Sequence, residues 1–164
     1  MNAEERGCQE TRFLTAFGMT EGVGGRGEGA GASSCPTTEG GGLAATEVRA
    51  RVQRTMSRYA SVIRTAAGLE EARGEIGELR QAGIRADEAG VAVAYETDNL
   101  LLVAEMILRA ARARPESRGP HLWFERDSDP EPKPRDEAWN RYLVVRTCEG
   151  RISVEPRTPR ALPE

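Results

Sequence analysis

One stretch limits what this chain can fold into more than any other: Tyr95 to Phe124, reading YETDNLLLVAEMILRAARARPESRGPHLWF. Polar residues open it. The most apolar segment of the chain follows, Leu100 to Leu108, interrupted only by Glu105. An arginine-rich exit leads to Pro115, and the residue before a proline is pushed out of the α region, so the helix stops near Arg114. Leu100, Ala104, Ile107, Leu108 and Ala111 repeat at helical spacing. Leu101, Leu102, Val103 and Met106 widen that stripe until it nearly encircles the helix, which predicts burial on several sides. The run is too short to span a bilayer, which takes about 20 residues. Other segments must therefore pack around it.

Two helices are available to do so. The first is expected from about Thr46 to Ala66, with Val48, Val52, Met56, Tyr59, Val62 and Ile63 on one face. Thr46 is its candidate N-cap, with Glu47 in the first turn, and Gly68 suits the position beyond its end. The second runs from about Leu69 to Gln81, turning Leu69, Ala72, Ile76 and Leu79 inward, and Gly83 ends it. Gly74 and Gly77 weaken it by about 1 kcal/mol each relative to alanine, unless they permit a close helix approach. The long third helix begins somewhere between Asp87 and Thr97. Helices one and three would each reach roughly 30 Å, enough to pair along their length. Short connections make neighbours antiparallel, giving an up-down-up three-helix bundle. Leu101, Val103, Ala104, Ile107 and Leu108 are expected against Val52, Met56, Tyr59 or Ile63.

Beyond Phe124 the chain turns acidic and proline-rich, from Asp127 to Asp136 (DSDPEPKPRD), as an extended loop would. Tyr142 to Arg146 then reads as a strand, Cys148-Glu149-Gly150 as a turn and Ile152 to Glu155 as a partner strand. A lone hairpin is marginal in water, so this one must lean on the bundle or on a partner.

Three segments agree in order and spacing with a known family. MSRYASVIRTAAGLEEA, NLLLVAEMILRAA and ESRGPH together resemble the C-terminal helical domain of the succinate dehydrogenase / fumarate reductase / L-aspartate oxidase flavoproteins, in which a long helix is followed by S-R-G-x-H. The resemblance covers about Glu47 to Arg157. It implies that hydride transfer and proton delivery belong to flavin-binding and capping domains that precede this one. It implies FAD, and a dicarboxylate or aspartate substrate, for the whole enzyme only. The ending G-R-I-S-V-E-P-R looks more like the dehydrogenase/reductase branch. The implied partner is a flavin-binding domain or subunit, supplied in trans if it is not in the same chain.

Composition narrows the alternatives. The 164 residues suit one domain plus a tail, and the net charge of −3 gives no support for nucleic-acid binding. Arginines alternate with acids, as on an ion-paired helical surface. Cys8, Cys35 and Cys148 are widely spaced and His121 is the single histidine, so no metal site is expected. Met1 to Gln9 has no apolar signal core, which points to a cytoplasmic protein without membrane insertion.

Residues 1–44 are expected to be disordered, because glycine dominates from Gly22 to Gly42 and little apolar surface offsets the ordering entropy. Gly22 to Gly27 satisfies G-x-G-x-x-G, but that fingerprint works between a strand and a helix. Met19-Thr20-Glu21 and Glu28-Gly29-Ala30-Gly31 supply neither, so no cofactor-binding residue is assigned. Residues 45–157 form the expected folded domain and 158–164 a frayed tail.

Arg118 and His121 are the most tempting functional pair, since a guanidinium can hold an anion and a histidine titrates near neutral pH. The plainer role is to fix the loop leaving the third helix or to meet a neighbouring domain. On that basis Arg118, His121, Trp123 and Tyr142 are the candidate domain-interface residues, and no catalytic residue is assigned. Ser117 and Ser153 lack an assignable base and orienting group. Cys148 has only Arg146 and Arg151 to activate it. Glu105 is expected to pair with Arg109, one helical turn on. The expected fold is therefore mainly α: an antiparallel three-helix bundle with a small C-terminal hairpin and a disordered glycine-rich N-terminus. The expected function is a supporting, non-catalytic domain of an FAD oxidoreductase. The alternative is a stand-alone helical interaction module with no redox role.

Overall fold

The computed structural model describes residues 36–37, 41–137, 139–148 and 150–159. The disorder expected of residues 1–44 and the rejected G-x-G-x-x-G match fall almost wholly outside these; where residues 1–44 are described, Leu43–Ala44 pair with Ile84–Arg85 and Thr37 bridges Arg85, so the folded part begins before Ala45. Among the described residues the elements follow in the order β1 (Leu43–Ala44), α1 (Ala45–Tyr59), β2 (Ile63–Thr65), α2 (Ala66–Ala82), β3 (Ile84–Arg85), α3 (Val91–Arg112), β4 (Leu122–Phe124), β5 (Tyr142–Cys148) and β6 (Arg151–Arg157). The domain is mainly helical, with each helix packed against the other two.

The first helix is shorter than its periodicity predicts. It ends at Tyr59, and Val62 and Ile63, read as its inward face, are about half exposed. β-branched residues favour extended backbone, and Ile63 to Thr65 instead form β2, parallel to β4, with Ile63 opposite Leu122. Thr65 then caps α2: its Oγ1 accepts from the Gly68 amide at 3.1 Å. Gly68 therefore lies inside the first turn of α2, not beyond α1. A Cβ there would meet Thr65 Oγ1 at 3.1 Å and a Tyr59 ring carbon at 3.3 Å. Gly74 and Gly77 face open space, so they do not bring helices together.

Thr46 is not the N-cap of α1 either; Ala44 holds that position without a side-chain bond. The capping oxygen comes from elsewhere in the chain. Asp87 Oδ2 accepts from the Thr46 amide at 2.9 Å and from its hydroxyl at 2.7 Å. A carboxylate at a helix N-terminus complements the helix dipole, and the hydroxyl bond, followed by the amide bond, holds the Asp87 carboxyl below its usual range. This contact and the Arg49–Glu96 ion pair at 3.1 Å tie the start of α1 to the start of α3. The parallel pairing of β1 with β3 closes the same end, and β2 with β4 closes the other.

The core corrects the reading of α3. Its buried residues are Ala94, Thr97, Leu101, Ala104, Leu108 and Ala111. They alternate three and four residues apart, as in a coiled-coil seam rather than a helix covered all round. Val103 and Ile107, expected against α1, are 38% and 43% exposed. Two helices and a hairpin cannot cover the whole circumference of a third. From the other helices come Val48, Val52, Leu69, Ala72, Ile76 and Leu79, with Met56 and Tyr59 partly buried beside them.

The hairpin forms where the sequence places it, antiparallel from Tyr142 opposite Arg157 to Cys148 opposite Arg151. It leans on α3 through buried Ile152, whose carbonyl accepts from Arg109 Nη1 at 3.2 Å. The same arginine holds Glu105 Oε1 at 2.7 Å, while Arg80 from α2 pairs with the other carboxylate oxygen. Glu105 thus links α2, α3 and the hairpin. Among the described residues no helix is long and apolar enough to cross a membrane.

Candidate functional site

The arginine-rich exit of α3 folds back on itself within a few residues. Pro115 forbids further helix. Gly119, at φ +57, allows a two-residue reversal in which the Arg118 amide donates to the His121 carbonyl at 2.8 Å, and the His121 amide donates back at 3.2 Å. The reversal sets β4 beside β2. Ser117 Oγ accepts from the Trp123 amide at 2.9 Å, a structural use of that hydroxyl.

The hub of this loop is a residue the sequence reading passed over. Glu116 is 1% exposed. Its Oε1 accepts from Arg114 Nη1 at 2.7 Å and Arg118 Nε at 2.8 Å; its Oε2 accepts from the Asp136 amide at 2.8 Å and Arg118 Nη2 at 3.2 Å. Burial alone pushes the carboxyl up, but the bonds from Arg118, the Asp136 amide and Arg114 more than offset it and hold the pKa at about 2. The two arginines reach further. Arg114 Nη2 donates to the Arg141 carbonyl at 2.8 Å, with its guanidinium 4.3 Å from the Trp139 ring centre. Arg118 Nη2 donates to the Trp139 carbonyl at 3.2 Å. One buried carboxylate therefore fastens the acidic loop and the start of the hairpin to the end of α3. The pattern R-P-E-S-R was the available signal: a carboxylate two residues from an arginine on either side, in a segment that cannot be helical.

His121 lies next to this hub, also buried. Its Nε2 faces the Arg114 carbonyl at 2.9 Å, and Arg64 Nη1 meets its Nδ1. A carbonyl only accepts and a guanidinium only donates, so the ring is the neutral Nε2–H tautomer. Burial lowers its pKa; the Arg114 carbonyl raises it and the Arg64 and Arg114 charges lower it again. With both nitrogens engaged, the ring is held rather than poised for proton transfer.

The four residues singled out from sequence are thus not equivalent. Arg118 serves Glu116, and His121 bridges Arg64 to the Arg114 carbonyl. Trp123 is 3% exposed and faces the domain's own interior, its ring 6.0 Å from His121. Tyr142 stands apart at the start of the hairpin, half exposed. A groove of about 420 Å³ opens here, where Arg64, Arg114 and His121 meet Ile107 and Leu143. Among the described residues no cluster of three or more His, Cys, Asp or Glu could hold a metal ion.

Residues 49–162 match the family model described as fumarate reductase flavoprotein C-term. The succinate dehydrogenase flavoprotein subunit of Rickettsia conorii is 34% identical over 63% of this chain and 18% of its own length. The L-aspartate oxidase of Streptomyces coelicolor is 36% identical over 61% of this chain and 17% of its length. The chain therefore spans less than a fifth of these relatives. Among solved structures, Mycobacterium smegmatis Sdh1 in complex with UQ1 superposes with a TM-score of 0.58 at 27% identity, over 77% of this chain and 21% of that one. An E. coli quinol fumarate reductase superposes at 0.59 with 21% identity, over 79% of this chain and 23% of that one, a likeness of fold alone.

Proposed function

The chain belongs to the fumarate reductase flavoprotein C-terminal family, and we propose that it acts there as a supporting helical domain that packs on a flavin-binding portion without performing the chemistry. In this reading residues 45–157 are the working unit, an antiparallel up-down-up bundle with its hairpin. Leu43–Ala44, paired with β3, belong to that unit as well, and the whole operates in the cytoplasm. FAD and the oxidisable or reducible substrate are held by the flavin-binding portion, whether it shares the polypeptide or is supplied in trans.

One observation carries the reading. The polar groups that the family resemblance brings to attention, Arg118 and His121, are spent on Glu116, the Arg114 carbonyl and Arg64. Such groups hold a loop in shape; a general acid or base needs a free position within hydrogen-bond reach of substrate. The alternative of a stand-alone interaction module has no comparable observation behind it.

The test is direct. The purified 164-residue chain is titrated with FAD, followed by flavin fluorescence, then assayed for fumarate reduction with a low-potential donor. Neither binding nor turnover is expected. Stoichiometric flavin binding with turnover would overturn the supporting role and make the glycine-rich segment a cofactor site.

A further inference from the structure

We infer that the side of α3 turned away from its seam, together with the groove at its end, is the surface on which the flavin-binding portion seats. This rests on the supporting-domain reading and adds where the contact is made.

Val91, Tyr95, Val103 and Ile107 are all exposed; at 3.6 residues per turn they wind about 160° across the half of the helix turned away from the seam, Val91 next to Tyr95 and Val103 next to Ile107. Scattered exposed apolar residues are ordinary. A row of four large ones on the most apolar helix of the domain is a patch with a use. From Val91 to Ile107 the row runs about 24 Å at the helical rise.

Charge narrows the choice of occupant. The row ends in the groove, where Ile107 meets Arg64. Arg114 and Arg118 spend their charge on Glu116. Arg64 does not: its bonds run to neutral acceptors, the Ala60 carbonyl and His121 Nδ1. Burial lowers its pKa, and among the described residues no carboxylate meets it. A partly desolvated guanidinium without a counter-ion favours a carboxylate arriving with a partner. The partner surface that fits is thus an aliphatic strip ending in an acidic side chain.

The relatives supply the length. This chain matches less than a fifth of each, and the matched model is their C-terminal part, so most of a relative's mass precedes it. Here the chain enters the fold through β1 and α1, whose start is fastened by Thr46 and Asp87 to the turn opening α3. Mass arriving at that end meets Val91 and Tyr95 first and can extend along the row to the groove.

The test measures affinity between the full chain and the FAD-loaded flavin-binding polypeptide of the same organism, by titration calorimetry. Ile107→Asp, Val103→Asp and Arg64→Gln should each weaken binding by about tenfold or more, as interface anchors do. Arg54→Glu, on the exposed side of α1, should leave it unchanged. Ile107 and Val103 lie outside the core, so their variants decide the matter even if Arg64→Gln lowers the melting temperature. Equal affinity for all variants overturns this face and leaves the supporting role standing. No association by the unaltered chain overturns both. Saturable binding of succinate to the isolated chain, abolished by Arg64→Gln, would make the groove a small-anion pocket and overturn the docking assignment.

Discussion

Glu116 shows how much one buried carboxylate can organise. Three elements converge on its two oxygens: the end of α3 through Arg114, the reversal through Arg118, and the acidic loop through the Asp136 amide. Removing one partner of a buried ion pair leaves the others unpaired and costs about 3–5 kcal/mol. Arg114 and Arg118 keep some contact with water, so Glu116→Gln should fall near the lower end, about 3 kcal/mol by urea denaturation. The pH dependence has a definite sign. The folded carboxyl sits at about 2, below the ordinary 4.5, so its contribution is whole above pH 4.5 and is lost as pH falls toward 2. His121 adds to the same trend. Its folded pKa is also lowered, so neutral burial favours the folded state above the ordinary 6.5 and loses ground below it. Stability of the unaltered chain should therefore decline on acidification, with the step below pH 4.5 much reduced in Glu116→Gln. A step of unchanged size in that variant would remove Glu116 from its place as the hub.

At the scale of elements, α3 separates what a sequence can reveal from what it cannot. Its existence and its end are written plainly in the apolar run and in Pro115. Its inward face is not. Between Leu100 and Leu108 nearly every residue is apolar, so hydropathy gives no way to choose a side. The seam is completed by Ala94, Thr97, Ala104 and Ala111, small residues that announce little. The consequence is measurable. Leu108→Ala, at a fully buried seam position, should cost about 2–5 kcal/mol. Ile107→Ala, next to it but largely outside the seam, should cost less than about 1 kcal/mol. Equal costs in urea denaturation would mean the seam is assigned to the wrong side. The short parallel strands were hidden for a different reason. Two or three residues carry no period, and their partners lie far along the chain. The hairpin was legible because its strands are longer and adjacent, with a glycine at the turn. Of the candidate site, Arg118 and His121 stood out by residue type. Glu116 did not, because a glutamate beside arginines reads as surface until the chain is folded around it. Arg64 was hidden inside what looked like a continuing helix.

At the scale of the whole molecule, the seam, the carboxylate hubs at Glu105 and Glu116 and the hairpin make a domain whose polar groups are largely turned on one another. Among the described residues, the exposed apolar residues of α3 and the half-buried Arg64 guanidinium, bonded only to neutral acceptors, suit another protein surface better than a reaction. The most direct measurement of the supporting role is the thermal midpoint at which the FAD-loaded flavin-binding polypeptide of the same organism releases its flavin, with and without an equimolar amount of this chain. A partner that binds only the folded state raises that midpoint by mass action, by about 2.7 kcal/mol of added stability at a hundredfold excess over Kd. The account predicts an upward shift of several degrees that is reduced in Ile107→Asp. An unchanged midpoint at concentrations well above those used for the affinity titration would contradict it.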